Sequence, residues 1–175
     1  GSAVTSYKIY RGTNPASIVC YATVSASPLT YVDTNGGTGL NFGTTYYYQI
    51  SGVNANGEGD KCPESHTSTY DVPDAPTITG ISSGIVGGKN SVTVNWNTPA
   101  DNGVAISNYK VYRGTTSGST GLIATVSSST HIYIDNDGGA GLPSGVTYYY
   151  QITAINALGE SDKSVEEDVF TADMP

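Results

Sequence analysis

Residues Thr44–Lys61, TTYYYQISGVNANGEGDK, recur 102 positions later as Val146–Lys163, VTYYYQITAINALGESDK. The offset holds without a gap from Ala3/Ala105 to Pro73/Pro175, and roughly half of the paired positions are identical. A constant offset means that no loop changed length, so the chain reads as a tandem array of one unit of about 100 residues. Within the repeated stretch, Tyr148, Tyr150, Ile152 and Ala154 alternate with Tyr149, Gln151 and Thr153. A period of two in a run rich in Tyr, Ile and Thr predicts a strand with one face in a core and the other partly exposed. Asn156-Ala157-Leu158-Gly159-Glu160 then breaks the alternation as a turn.

The chain carries 22 Gly, 14 Tyr and only 13% charged residues, a composition that suits many short strands and turns and argues against long helices. No window has a helical apolar period, and no run of about 18 apolar residues predicts a membrane span. No signal peptide is visible, and the opening Gly1-Ser2 reads as a cloning remnant, with both ends cut from a longer array. Net charge is −8, divided as −2 before Pro73 and −6 from there on, with no basic stripe to hold nucleic acid. Acidity with few lysines points to a secreted or cell-surface location.

The second repeat, 73–175, contains a full set of strand signals. Asp71-Val72-Pro73-Asp74-Ala75-Pro76 is a Pro-punctuated junction. Strands are expected near 77–82, 91–97, 106–113, 122–127, 131–135, 146–155 and 161–171, with a turn at 83–90 and a Gly/Ser loop at 114–121. Val92, Val94 and Trp96 share one face, Tyr109 and Val111 point inward, and Lys110 and Tyr112 point outward. Seven short strands with turns every 8–12 residues predict an all-β, two-sheet antiparallel sandwich.

These residues carry a family resemblance: the Pro-rich lead-in Val72–Pro76, Val94-Asn95-Trp96, Asn108–Arg113, Tyr133-Ile134-Asp135, Leu142–Tyr148 and Ala154–Ser161. The second repeat resembles a fibronectin type III domain, and the likeness extends over nearly the whole chain. The resemblance implies immunoglobulin-like sandwiches in tandem, with strands A, B and E in one sheet and C, C′, F and G in the other. It implies that Tyr46 and Tyr148 are tyrosine-corner residues whose hydroxyls cap nearby backbone. As a fold it implies no catalytic activity and no cofactor. The connection Asn136–Ala140 is longer than the family pattern.

The first repeat, 3–72, is incomplete. Ala3 aligns with Ala105, so counterparts of residues 73–104, including strands A and B and the match to Trp96, are missing. Losing one large core side chain costs about 3–5 kcal/mol, comparable to a domain's whole margin. The first repeat is therefore expected to fray or to find substitute strands, through strand exchange or sheet-edge pairing with a second copy.

Chemical motifs are sparse. Gly80-Ile81-Ser82-Ser83-Gly84 matches a hydrolase nucleophile elbow, but that motif needs a following helix, and the serine is placed here at a strand end. Asp135-Asn136-Asp137-Gly138-Gly139, echoed at Asp33–Gly37, offers oxygen ligands for a hard cation, yet Asx/Gly turn chemistry explains both copies. His66 and His131 lack ligand spacing, and no metal site is assigned. Cys20 and Cys62 are either a local disulfide or two unrelated thiols.

The candidate binding residues are Tyr10, Tyr47, Tyr112 and Tyr149, expected to point outward with Lys8 and Lys110 beside them. Exposed aromatics on a flat sheet stack on sugar rings or anchor a protein partner, and tyrosines equally suit half-exposed strands without any ligand. The leading expectation is a non-enzymatic spacer from a tandem array whose partners are its neighbouring domains. A polysaccharide- or protein-binding module using the Tyr face and a self-associating adhesive module are the alternatives.

Overall fold

The computed structural model describes residues 1–172. The pairing of Met174-Pro175 with Val72-Pro73 lies outside the described residues. The chain divides into two compact units, one of residues Gly1–Tyr70 and one from Asp71 onward. Every paired strand is antiparallel, and among the described residues there are 3-10 turns but no α-helix. Among the described residues no helix is long and apolar enough to cross a membrane.

The first unit contains β1 (Ser6–Gly12), β2 (Val19–Ser25), β3 (Thr45–Asn54), β4 (Gly57–Glu58) and β5 (Ser65–Ser68). They make a single five-stranded sheet in the order β2-β1-β3-β4, with β5 also on β3. The β1–β3 ladder runs unbroken through seven pairs, from Ser6↔Val53 to Gly12↔Tyr47. The sheet is thus intact, and among the described residues of this unit no second sheet accompanies it. Residues 28–32 pass across its apolar face and, with Tyr7, Ile9 and Ile50, line an open groove.

The second unit contains β6 (Ile78–Val86), β7 (Lys89–Trp96), β8 (Asn108–Thr116), β9 (Ser119–Ser127), β10 (Ile132–Asp135), β11 (Thr147–Asn156), β12 (Gly159–Glu160) and β13 (Glu167–Phe170). One sheet is β10-β7-β6; the other is β12-β11-β8-β9, with β13 on β11. The predicted strand groupings hold. The core fills the space between the sheets: Val92 and Val94 meet Tyr109, Val111, Tyr150 and Ile152, all 0% exposed. Trp96 closes one end edge-on to Tyr109, with ring centroids 5.6 Å apart.

Three boundaries differ from the sequence expectation. The turn at 83–90 shrinks to Gly87-Gly88, whose φ of 59° and 75° suit the tight hairpin turn that follows strand twist. The loop at 114–121 shrinks likewise, because β8 and β9 run on to Thr116 and Ser119. Gly114 allows this approach, since a Cβ there would stand 2.1 Å from the Ser119 carbonyl oxygen. The last strand, expected over 161–171, is confined to β13, and β12 pairs within the expected turn at 156–160, leaving 161–166 outside any strand. In the segment between β12 and β13, Ser161 Oγ accepts from Ala154 N at 2.9 Å and Ser164 Oγ accepts from Ile152 N at 3.0 Å. The serine hydroxyls occupy the backbone donors that a regular ladder would use.

Candidate functional site

On the outer face of the first sheet, alternation sets Lys8 and Tyr10 of β1 beside Gln49 and Ser51 of β3. The turn after Asn54 brings β4 back, pairing Glu58 with Val53. The Glu58 carboxylate accepts from Lys8 Nζ at 2.6 Å, from Ser51 Oγ and from the Tyr10 hydroxyl. Lys61 Nζ sits 3.6 Å from the Tyr10 ring centroid. The second unit repeats the arrangement. Glu160 accepts from Lys110 at 2.6 Å, Tyr112 at 2.5 Å and Thr153 at 2.7 Å, and Lys163 lies 4.2 Å from the Tyr112 ring centroid.

Tyr10 and Tyr112 do face away from the apolar side, but they are not open aromatic platforms. Tyr10 is only 9% exposed and Tyr112 is half-buried. Their hydroxyls are taken by a glutamate and their rings are roofed by a lysine held through cation–π attraction. Glu58 is held down to about 2 by hydrogen bonds from Lys8, Ser51 and Tyr10. For Glu160 burial pushes upward, but hydrogen bonds from Lys110, Tyr112 and Thr153 outweigh it and bring the carboxyl to about 2.

Tyr47 and Tyr149 are both half-buried. Tyr47 lies across from His66 on β5 with ring centroids 5.3 Å apart, and Tyr149 lies across from Asp168 on β13. Tyr10 and Tyr47 therefore share one sheet face in the first unit, and Tyr112 and Tyr149 share one in the second.

The acidic loops are occupied by arginine. Arg113 Nη1 donates to both Asp135 oxygens at 2.9 and 3.0 Å, and the Tyr150 hydroxyl adds a 2.7 Å bond. Arg113 Nη2 reaches Asp137 at 3.1 Å. Arg11, Asp33, Tyr48 and Asn35 repeat this cluster in the first unit. Burial raises Asp33, but bonds from the Asn35 N–H, Arg11 and Tyr48 leave it below the usual carboxylate range. Burial and the neighbouring aspartate push Tyr48 and Tyr150 up. Among the described residues no group of three His, Cys, Asp or Glu is arranged to hold a metal ion.

The remaining motifs resolve structurally. Ser82 lies inside β6, paired with Thr93, rather than at a strand end. His131 Nε2 is 2.7 Å from Thr98 Oγ1, and His66 is exposed. The tyrosine corner is present in one unit only: Asn41 N donates to the Tyr46 hydroxyl at 3.1 Å, whereas the matching position is Pro143, which has no N–H to give. Cys20 and Cys62 are both free and exposed. Cys20 is on β2, and Cys62 N bonds Ile50 O on the far side of β3. Three strand spacings of about 4.8 Å separate them, well beyond disulfide reach.

An antiparallel two-sheet sandwich with this strand order places the second unit in the immunoglobulin-like class. Residues 74–169, more than half of the chain, match the model of the fibronectin type III domain, and the chain belongs to that family. Among curated proteins it is 29% identical over 163 residues to chitinase A1 of Niallia circulans, covering 89% of this chain and 20% of that protein. It is 36% identical over 95 residues to amylopullulanase of Thermoanaerobacter thermohydrosulfuricus, covering 51% of this chain and 6% of that protein. The chain thus spans only a small part of the relatives it matches. Among solved structures, a crystal structure of titin domains aligns with a TM-score of 0.52 at 20% identity, over 95% of this chain and 55% of that one, a likeness of fold.

Proposed function

We propose that the chain is a non-enzymatic spacer: a piece of a tandem fibronectin type III array, its first unit an incomplete repeat, from a secreted or cell-surface protein whose neighbouring domains are its partners. The junction is the observation that carries this reading. Asn156 Nδ2 donates to Asp71 O at 2.9 Å, Asn102 Nδ2 donates to Val72 O at 2.9 Å, and Asp74 N donates to Ala100 O at 3.0 Å. Pro73 and Pro76 are buried in the second unit. A lead-in tied down in this way is an ordered part of the second unit rather than a free linker, which supports a spacer. The match to small fractions of two much longer enzymes supports an accessory role.

A second reading is glycan binding through Tyr47 and Tyr149. It is favoured by their half-exposed rings and by relatives named as chitinase and amylopullulanase. Affinity electrophoresis in gels containing glycol chitin, pullulan or amylopectin separates the two. The spacer reading expects the same mobility with and without glycan. Retardation that disappears in the Tyr47→Ala, Tyr149→Ala variant would replace it with the binding module.

A further inference from the structure

Asn-Gly occurs three times, at Asn35-Gly36, Asn56-Gly57 and Asn102-Gly103. With no side chain on the following residue, its backbone nitrogen meets little steric hindrance in approaching the asparagine's own amide carbon. Two of the three pairs are held. Asn35 Oδ1 accepts from Arg11 Nη2 at 2.8 Å, and its Nδ2 donates to Thr38 Oγ1 at 3.0 Å. Asn102 Nδ2 donates to Val72 O at 2.9 Å and to Asp74 Oδ1 at 3.0 Å. The Gly103 N–H is taken by Asp101 Oδ1 at 3.0 Å. Asn56 is different. It is exposed at the tip between β3 and β4, where its backbone N–H donates to Asn54 Oδ1 at 2.9 Å. Among the described residues its side chain makes no hydrogen bond. The repeat supplies an internal control: the matching pair is Leu158-Gly159, in the same turn ahead of Glu160, with no side-chain amide to react.

We propose that Asn56 is a self-modification site, converting through a succinimide to aspartyl and isoaspartyl forms, and that the isoaspartyl form releases the Glu58 cluster. The Gly57 nitrogen bonds to Asn56 Cγ, the Cγ–Nδ2 bond breaks, and the proton of the Gly57 N–H leaves with Nδ2 as ammonia. Water then opens the ring. Attack at Cγ gives aspartate; attack at the main-chain carbonyl carbon gives isoaspartate, whose chain runs on through Cβ and Cγ. The isoaspartyl form thus inserts one carbon into the backbone two residues before Glu58. That turn sets the Asn54↔Gly57 and Val53↔Glu58 pairing, and with it the reach of Glu58 to Lys8, Tyr10 and Ser51. Lengthening it frees the Tyr10 hydroxyl and Lys8 while the β1–β3 ladder stays in place.

The test ages the full chain in mildly alkaline buffer and maps its peptides by mass spectrometry, with isoaspartate scored by enzymatic methylation. In the folded chain Asn56 converts on the order of 10-fold faster than Asn35 or Asn102, because their hydrogen bonds must open first. In urea, where those bonds are lost, the three rates converge. Equal rates in the folded chain, or Asn35 or Asn102 leading, overturn the proposal, as does an Asn56 that converts in urea but not in the fold. The consequence is read separately, by NMR titration of the side-chain carboxyls. In the aged, isoaspartyl-enriched chain Glu58 rises from about 2 toward the ordinary 4.5, while Glu160 stays at about 2. The Asn56→Leu chain, which copies the second unit, keeps Glu58 at its starting value through the same ageing. Glu58 unmoved in the isoaspartyl form, or moved equally in Asn56→Leu, rejects the release of the cluster.

Discussion

Glu58 and Glu160 show how much of the polar chemistry serves the sheet itself. Each is surrounded by a lysine and a tyrosine from one strand and a hydroxyl residue from the next. An unfolded glutamate titrates near 4.5, whereas folded Glu160 titrates at about 2. Between those values the unfolded chain binds a proton that the folded chain refuses, so stability falls as pH drops from about 4.5 toward 2. Glu160→Gln lowers stability at neutral pH and flattens that acid-side fall. Urea midpoints followed through Trp96, the one tryptophan of the chain, check this at a series of pH values; an unaltered slope would remove Glu160 from the account. The alternation of Lys8 and Tyr10 was legible in the sequence. Their capture by Glu58 was not, because it depends on where the turn after Asn54 returns the chain. The same holds for Asp33 and Asp135. As a local pattern they read as turn or cation-loop oxygens, and only the topology brings Arg11 and Arg113, 22 positions away, against them. Breaking a buried pair of this kind strands one charge, which costs about 3–5 kcal/mol.

At the scale of strands, identical segments have different burial. β3 and β11 share the run TYYYQI, yet Ile50 is 43% exposed and Ile152 is 0% exposed. Ile152→Ala should therefore cost about 3 kcal/mol, and Ile50→Ala about 1 kcal/mol or less. Native-state amide exchange, read separately on β11 and β3, measures both; equal losses would mean that the first sheet is as well covered as the second. Strand positions were legible from period-two patterning, and their ends were not. The Gly87-Gly88 and Ser117-Gly118 segments read as long loops because small residues carry no alternation, whereas in the fold they are the tips of extended hairpins. The late start of the last strand came from Ser161 and Ser164, whose hydroxyls compete for backbone donors only once β11 lies alongside.

For the whole chain, one unit has two sheets about a closed core and the other has one sheet with an open face. Unfolding in denaturant should then not follow a single transition. Far-UV circular dichroism, which reports both units, is expected to begin its loss at lower urea than Trp96 fluorescence, which reports the second unit alone. Superimposable curves would contradict that ordering. The sequence by itself determined the repeat, the all-β class and which residues of each strand face a core, because these follow from spacing along one chain. The tertiary structure decided which core faces are closed, which tyrosines stay free and which carboxylates are already paired. Those outcomes depend on segments distant in sequence meeting in space, and no local pattern encodes whether the partner of a face is present.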